Sequence, residues 1–518
     1  MQIKENIVLR RASMADAELL FEWKNDKETI ENSITKRGVT MEEHLQWLQA
    51  VISNPNRQLF ILDVDGNSIG QLRLDLEVMS DAVTAESARE KVKKEATNSK
   101  KIKAEISYGL GAEYRGKGLG KVLLQQADTL ANIFKVTELT AEVLPHNKAS
   151  QKLFRDLGYI EERKGDLYIY TKNKMKSNEN KKNSKIYIRA DMNEVIATGH
   201  IMRCLSIADA AKEMGKETIF ITADEKPVEM LRSRGYEPVI LHTKWDHMES
   251  ELESLISLIQ KEGITKLLVD SYQVTKEYLE KLEEHTEVFY LDDLDAFEYP
   301  VSNVICYANY YDKLSYVNYK KDVNFYLGTS YMPIRKVFQN CEPKTIKDNI
   351  KNIMVLSGGS DNFHMIENIA ELFKDNEEVQ LNIICGAFYP DFEGLKQKFA
   401  GCNNFYFYQN VSNLEEFMET ADLAITAGGT TLYELSAKGT PAISYAFADN
   451  QLKNVEQFDA DGLIPYAGDI RMDDVYGNIY KLYEKCKNPM IRKQYSEKMQ
   501  RVIDGCGAAR IAALLSCK

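Results

Sequence analysis

Arg115-Gly116-Lys117-Gly118-Leu119-Gly120 follows a strand-like run at 104–109 and opens a run in which Val122, Leu123, Leu124, Ala127, Leu130 and Ala131 recur at helical spacing. A strand, a basic glycine-rich turn and a helix start make an anion cradle. Free backbone N–H groups and the positive end of the helix dipole converge on one spot. The glycines let a pyrophosphate approach the backbone. The turn is not a P-loop, because no Gly-Lys-Ser/Thr ending follows. It is also not the G-x-G-x-x-G fingerprint of a dinucleotide-binding βαβ unit. Taken alone, it is either an anion cradle or a glycine-rich surface turn.

The chain around it has 518 residues, too many for one ordinary core, so more than one domain is expected. Hydrophobic content of 44% and charged content of 28% fit a soluble globular protein. No apolar run approaches a membrane span, and MQIKENIVLR lacks a signal-peptide core, so a cytoplasmic protein without a membrane partner is expected. The eight cysteines are scattered, with no C-x-x-C pair and no Cys/His cluster at metal spacing. Free thiols and no metal are the expectation. A net charge of −12 argues against general nucleic-acid binding but leaves room for local basic pockets.

The stretch 171–185 (TKNKMKSNENKKNSK) is rich in Lys, Asn and Ser and reads as a solvated linker. It divides the chain into 1–172, a linker at 173–185, 186–340 and 341–518. Before the linker the order reads β-α-α-β-β, an insertion, then β-α-β-α-β. Strands are expected at 7–11, 58–64 and 68–74, the last two flanking an Asp65-Gly66 turn, and helices at 15–23 and 41–52. The charged segment 80–103 is an exposed helix or a mobile excursion. After the linker, β and α segments alternate. One series of strands is expected at 186–189, 218–221, 267–270 and 288–291. A second follows at 353–356, 381–385, 405–408, 423–426 and 442–445, and an irregular stretch at 309–349 separates the two. This is α/β architecture, with two parallel, doubly wound subdomains facing one cleft.

The R-x-x-G-x-G spacing resembles the acetyl-CoA pyrophosphate loop of the GNAT N-acetyltransferases. Further matches are Glu142-Val143-Leu144-Pro145-His146-Asn147, which ends a strand before a helix, and Leu153-Phe154-x-x-Leu157-Gly158-Tyr159 at a helix end. The stretches Glu22-Trp23-Lys24-Asn25-Asp26 and Glu43-His44-x-x-Trp47 resemble a GNAT subgroup, PseH-like, that acetylates amino sugars on nucleotide carriers. Over about the first 170 residues, this resemblance implies a GNAT fold and acetyl-CoA as co-substrate. Arg115 to Gly120, including Lys117 and Leu119, and Asn147 would bind it. Backbone N–H groups near 106–110 would meet the thioester oxygen. The family's usual general acid, a Tyr seven residues after the Asn, is Phe154 here. A water, another Tyr such as Tyr159, or unassisted departure of the thiolate are the alternatives. Glu105 is either a base acting through water or a solvated edge residue. His44 and Trp47 share a helix face and, with Trp23, either wall an acceptor sugar or pack the helix on the sheet.

After the linker, Arg189-Ala190-Asp191 ends the first strand and Thr198-Gly199-His200 opens the next helix. Two glycine-rich turns follow strands further on: Ser357-Gly358-Gly359-Ser360 and Thr426-Ala427-Gly428-Gly429-Thr430, the latter opening a helix that carries Glu434. Such turns can hold a diphosphate by N–H groups and dipole. The combination resembles the GT-B architecture of the MurG glycosyltransferase. More closely it is similar to PseG-type UDP-sugar hydrolases of pseudaminic acid biosynthesis. Their R-A-D…G-x-G-H-x-x-R appears as Arg189-Ala190-Asp191…Thr198-Gly199-His200-Ile201-Met202-Arg203, with Ala197 where the first glycine is expected. Asp270-Ser271-Tyr272, Leu291-Asp292-Asp293, Tyr331-x-x-Ile334-Arg335 and Asp449-Asn450-Gln451 follow in order. By that resemblance His200 is the general base that activates a water, and Tyr272 and Asn450 orient water and sugar. Asp191 belongs to the catalytic motif. Gly358, Gly359, Ser360, Gly428, Gly429, Thr430 and Glu434 hold UDP. The implied partner is a UDP-linked amino sugar, acetylated by the first part and released from UDP, with inversion, by the second. A GT-B glycosyltransferase whose GNAT part is a binding module, or acts on another UDP-amino sugar, is the alternative.

Overall fold

The computed structural model describes residues 7–54, 56–64, 67–134, 136–173, 185–196, 198–319, 323–357, 361, 363–386, 389–411 and 413–516, with the exception of 80–100. The Asp65-Gly66 turn, the segment 80–100, linker residues 174–184 and the turn residues 358–360 lie outside the described residues. Two compact units emerge. One is Met1–Ile186 with Ala211–Thr218 and Ala512–Lys518, and the other is Tyr187–Ala210 with Ile219–Ile511. No helix among the described residues is long and apolar enough to cross a membrane.

The first unit is built on strands β1 (Ile7–Arg11), β2 (Arg57–Val64), β3 (Asn67–Met79), β4 (Lys101–Leu110), β5 (Glu138–Val143), β6 (Ile160–Lys164) and β7 (Leu167–Asn173). They form one sheet in the order β1-β2-β3-β4-β5-β7-β6. Residues 101–103, expected in the charged excursion, open β4 instead. Among the described strands of this sheet only β4 and β5 pair in parallel, because the helix Leu119–Ile133 crosses between them. Their pairing covers Lys103–Glu105 against Glu138–Thr140 only, whereas β4 stays paired to β3 as far as Leu110. Past Glu105 the two strands therefore diverge and leave an opening. β2 is buried on both faces. Leu59 and Ile61 pack with Leu20, Trp23, Leu48 and Val51 of the helices Ala17–Asn25 and Met41–Ile52. On the opposite face, Leu123, Leu124, Ala127, Leu130 and Ala131 of the helix Leu119–Ile133 are fully buried. Each such leucine contributes roughly 1.5–3 kcal/mol by leaving water.

The second unit holds two parallel sheets. Strands β8 (Ile186–Ala190), β9 (Thr218–Thr222), β10 (Val239–Ile240), β11 (Lys266–Asp270), β12 (Glu287–Asp292), β13 (Asn303–Cys306) and β14 (Asn324–Leu327) take the order β10-β9-β8-β11-β12-β13-β14. Strands β15 (Asn352–Leu356), β16 (Gln380–Cys385), β17 (Phe405–Gln409), β18 (Leu423–Ala427), β19 (Ala442–Ala446) and β20 (Tyr466–Asp469) take the order β17-β16-β15-β18-β19-β20. Both are doubly wound sheets whose strand order reverses once, between β8 and β11 and between β15 and β18. Ligand crevices form at such switch points, outside the carboxyl ends of the strands. The stretch 309–349, expected to be irregular, contains β14, the edge of the first sheet. β10, β13 and β20 were also not foreseen. Each has four residues or fewer, too few for a period to show, and pairing to a neighbour decides them.

Candidate active sites

His200 stands in the first turn of the helix Gly199–Glu213, which leaves β8 at the first switch point. It is 4% exposed. Asp270 ends β11, the strand paired with β8, and its Oδ1 lies 2.7 Å from His200 Nδ1. Arg203, one turn after His200, grips the same carboxylate with two nitrogens: Nε donates to Oδ2 at 2.6 Å and Nη2 donates to Oδ1. Burial alone would raise the Asp270 pKa. The charges of Arg203 and His200, and their hydrogen bonds, outweigh it and hold the carboxyl well below the usual range. His200 Nδ1 meets both Asp270 Oδ1 and, at 2.7 Å, Arg203 Nη2. The other nitrogen, Nε2, has no protein partner among the described residues.

Around this pair, Arg203 Nη1 donates to the Tyr307 hydroxyl at 2.9 Å, and Tyr307 donates to Asp293 Oδ2 at 2.6 Å. Tyr272 donates to the same oxygen at 3.0 Å and sets its ring edge-on to His200, with centroids 4.6 Å apart. Asp293 Oδ1 is buried and has no partner among the described residues. Asp191 belongs to a different cluster. Its carboxylate takes Arg189 Nη1 at 2.5 Å and the Ala223 N–H at 2.8 Å, while Arg189, 0% exposed, forks onto Glu251. Asp191, expected in the catalytic motif, thus sits in a buried ion-pair framework with Arg189 and Glu251. Asp270, Arg203, Tyr307 and Asp293 were not expected as site residues, although the H-x-x-R spacing and the Asp-Ser-Tyr and Leu-Asp-Asp motifs marked three of them.

At the second switch point β18 ends in the Gly428-Gly429-Thr430 turn, and the helix Thr431–Lys438 begins. A Cβ on Gly428 would overlap Val455 Cγ1 and lie 3.2 Å from Gln451 Cβ, so only glycine lets the helix Asp449–Ala460 come this close. A Cβ on Gly429 would meet nothing within 4 Å, which leaves the turn open on that side to a ligand. Thr430 makes no side-chain capping bond. The Gly428 carbonyl accepts from Asn454 Nδ2 at 3.1 Å, and Asn454 Oδ1 accepts from the Tyr433 hydroxyl at 2.8 Å. Tyr433 in turn meets Tyr307 edge-on, which links this turn to the histidine cluster. Glu434 pairs with Arg335 at 3.4 Å, and Arg335 also pairs with Glu415 at 3.0 Å. Burial pushes the Glu434 carboxyl up, against the pull of Arg335. Gly358, Gly359 and Ser360 lie outside the described residues, as does the side chain of Asn450, whose backbone is in the helix Asp449–Ala460.

In the first unit, Gly116 and Gly118 take φ of 75° and 84°, left-handed values that favour glycine, and a Cβ on either would meet nothing within 4 Å. The turn is open beside both glycines. Leu119 and Gly120 are buried at the helix start, and Lys117 lies over the Tyr114 ring. Arg115 turns elsewhere: Nη2 pairs with Asp26 at 2.6 Å and Nη1 with Glu28 at 3.0 Å. Asn147 caps the helix Lys148–Asp156, accepting from the Ser150 N–H at 3.1 Å. Glu105 lies opposite Asp75 in the sheet. Partial desolvation, Glu142 and Asp75 push its carboxyl up, partly offset by Arg73. His44 is 2% exposed between Phe21 and Trp47, and Trp23 is 7% exposed in the same core. Both pack in the core, and Trp47 is half-buried with Arg73 over its ring.

Residues 6–160 match the acetyltransferase (GNAT) domain family, and residues 352–504 match the glycosyltransferase family 28 C-terminal domain. The spore coat polysaccharide biosynthesis protein SpsG of Bacillus subtilis is 22% identical over 325 residues, covering 61% of this chain and 93% of that protein. The pseudaminic acid cytidylyltransferase and UDP-2,4-diacetamido-2,4,6-trideoxy-beta-L-altropyranose hydrolase of Helicobacter pylori is 25% identical over 244 residues. That match covers 46% of this chain and 44% of the relative, so the chain spans less than half its length. Among solved structures, MurG of Acinetobacter baumannii is 12% identical with a TM-score of 0.48, covering 64% of this chain and 99% of that one.

Proposed function

We propose that this chain, which joins a GNAT acetyltransferase domain to a glycosyltransferase family 28 C-terminal domain, catalyses two consecutive steps on one UDP-sugar. The first unit transfers acetyl from acetyl-CoA to the C4 amine of a UDP-4-amino-4,6-dideoxy-N-acetyl-altrosamine. The second hydrolyses the UDP-2,4-diacetamido-2,4,6-trideoxy-altrose so formed, with inversion, to UDP and free sugar. The observation that carries the hydrolytic step is the His200–Asp270–Arg203 cluster, joined through Tyr307 and Tyr433 to the Gly428-Gly429 turn. The activity for which the Helicobacter pylori relative is named supports the choice of sugar.

His200 Nε2 takes a proton from water as the water attacks the anomeric carbon. Asp270 holds Nδ1–H, fixes the tautomer and stabilises the imidazolium that forms. Asp293 Oδ1 offers an unfilled acceptor for a sugar O–H or N–H. The Thr430 N–H and the helix dipole stabilise charge developing on the diphosphate, while the Gly429 N–H is held by the Ala427 carbonyl. UDP leaves readily, so no strong protein acid is needed. In the first unit the 116–120 cradle holds the phosphates of acetyl-CoA, which supplies the acetyl group. Glu105, with its carboxyl pushed up, relays the amine proton through water.

The test is His200→Asn in the full chain, supplied with acetyl-CoA and the UDP-4-amino sugar. CoA release should continue at the wild-type rate while the doubly acetamidated UDP-sugar accumulates. Continued UDP release would remove His200 from the role of base. UDP release by the wild type only when a sugar acceptor is added would make the second unit a transferase.

A further inference from the structure

Phe154 puts an apolar ring where the acetyl-transfer reading expects a tyrosine to protonate the departing thiolate. Its ring is 1% exposed, stacked on Tyr170 at 5.2 Å and edge-on to Tyr159 at 5.0 Å and Tyr108 at 5.9 Å. Of these three tyrosines, two are unsuited. The Tyr159 hydroxyl is buried without a partner among the described residues, sealed from any substrate, and Lys172 lies over its ring at 5.1 Å. The Tyr170 hydroxyl donates to Glu161. Tyr108 differs. It lies on β4 three residues past Glu105, on the wall of the opening where β4 and β5 no longer pair. Its hydroxyl is 2.8 Å from Ser150 Oγ in the helix that follows β5, so the side chain bridges the two sides of the opening. From the Gly116–Gly120 turn, just past the end of β4, the edge of that strand left unpaired by β5 runs back to Tyr108.

We infer that Tyr108 is the acid that protonates the CoA sulfur, with Ser150 as its positioning residue; this rests on the acetyl-transfer reading of the GNAT domain. The amine nitrogen bonds to the thioester carbon, and the C–S bond breaks with its electron pair going to sulfur. Tyr108 O–H gives its proton to that sulfur. The extra amine proton leaves to water, and water returns a proton to the Tyr108 oxygen. Amine and thioester thus become amide and thiol. Ser150 O–H donating to the Tyr108 oxygen leaves the phenolic hydrogen free to turn toward sulfur. Burial keeps the Tyr108 phenol protonated at neutral pH, against the smaller opposing effect of Ser150, so its O–H is available as negative charge builds on the sulfur.

Binding of CoA and of desulfo-CoA to the full chain, with and without Tyr108→Phe, tests the contact with no need of an acceptor. The wild type should prefer CoA several-fold, and more strongly as pH rises past about 8.5, where the thiolate forms. Tyr108→Phe should abolish that preference while leaving desulfo-CoA affinity unchanged. Single-turnover acetyl transfer should fall about 10²-fold in Tyr108→Phe, and adding Phe154→Tyr should restore part of it. A wild type indifferent to the sulfur, a variant that keeps the preference, or equal loss of both ligands would overturn the assignment. Absence of acetyl transfer in the wild type would instead count against the reaction proposed for the GNAT domain, and the two binding measurements would still decide Tyr108.

Discussion

Asp270 has two duties that a substitution can separate. It orients His200 and it neutralises Arg203, which is buried and forked onto it. Asp270→Asn keeps the shape but loses the charge, so the Nδ1 proton is no longer drawn to one side. We expect kcat for UDP release to fall about 10²–10⁴-fold with little change in KM, measured by coupled detection of UDP. The same variant should lose about 3–5 kcal/mol of stability at pH 7, because Arg203 is left buried without its counter-charge. The folded-state pKa of Asp270 is depressed, so its contribution is complete above the ordinary carboxylate range near pH 4 and is lost as pH falls through and below it. Urea melts of wild type and variant should therefore converge as pH drops from 5 toward 3. A gap that stays constant over that range would show that the charge of Asp270 does not contribute.

At the scale of elements, the two glycines that end β18 should separate packing from binding. Gly428→Ala forces a methyl into Val455 and should cost about 1–3 kcal/mol in a thermal or denaturant melt. Gly429→Ala points into open space, so it should leave stability nearly unchanged and weaken UDP binding by calorimetry. Equal effects of the two on stability would contradict the open turn. These turns were legible in the sequence because a strand, two glycines and a helix start are adjacent in the chain. So was the helix Leu119–Ile133, whose buried positions follow its apolar period. The His200–Asp270 contact was not legible, because 70 residues separate the partners and only the β8–β11 pairing brings them together. β10, β13, β14 and β20 escaped for the same reason: two to four residues carry no period, and a neighbouring strand makes them strands. His44 shows the converse limit. One apolar helix face serves a core and a ligand wall alike, and burial alone assigns it to the core.

For the whole molecule, the chemistry ascribed to the two units is sequential, so each should fail alone. A Tyr108→Phe chain should still release UDP from a supplied diacetamido UDP-sugar at the wild-type rate, just as His200→Asn should still acetylate. Joint loss of both activities in either variant would contradict the assignment of one step to each unit. The most direct measurement is mass spectrometry of the full chain acting on the UDP-4-amino sugar and acetyl-CoA in ¹⁸O-water. The account predicts one CoA per UDP, unlabelled UDP, and a free sugar that has gained one acetyl group and one ¹⁸O at its anomeric carbon. Label in the UDP phosphate, or an acetylated UDP-sugar that stays intact until an acceptor is supplied, would contradict it.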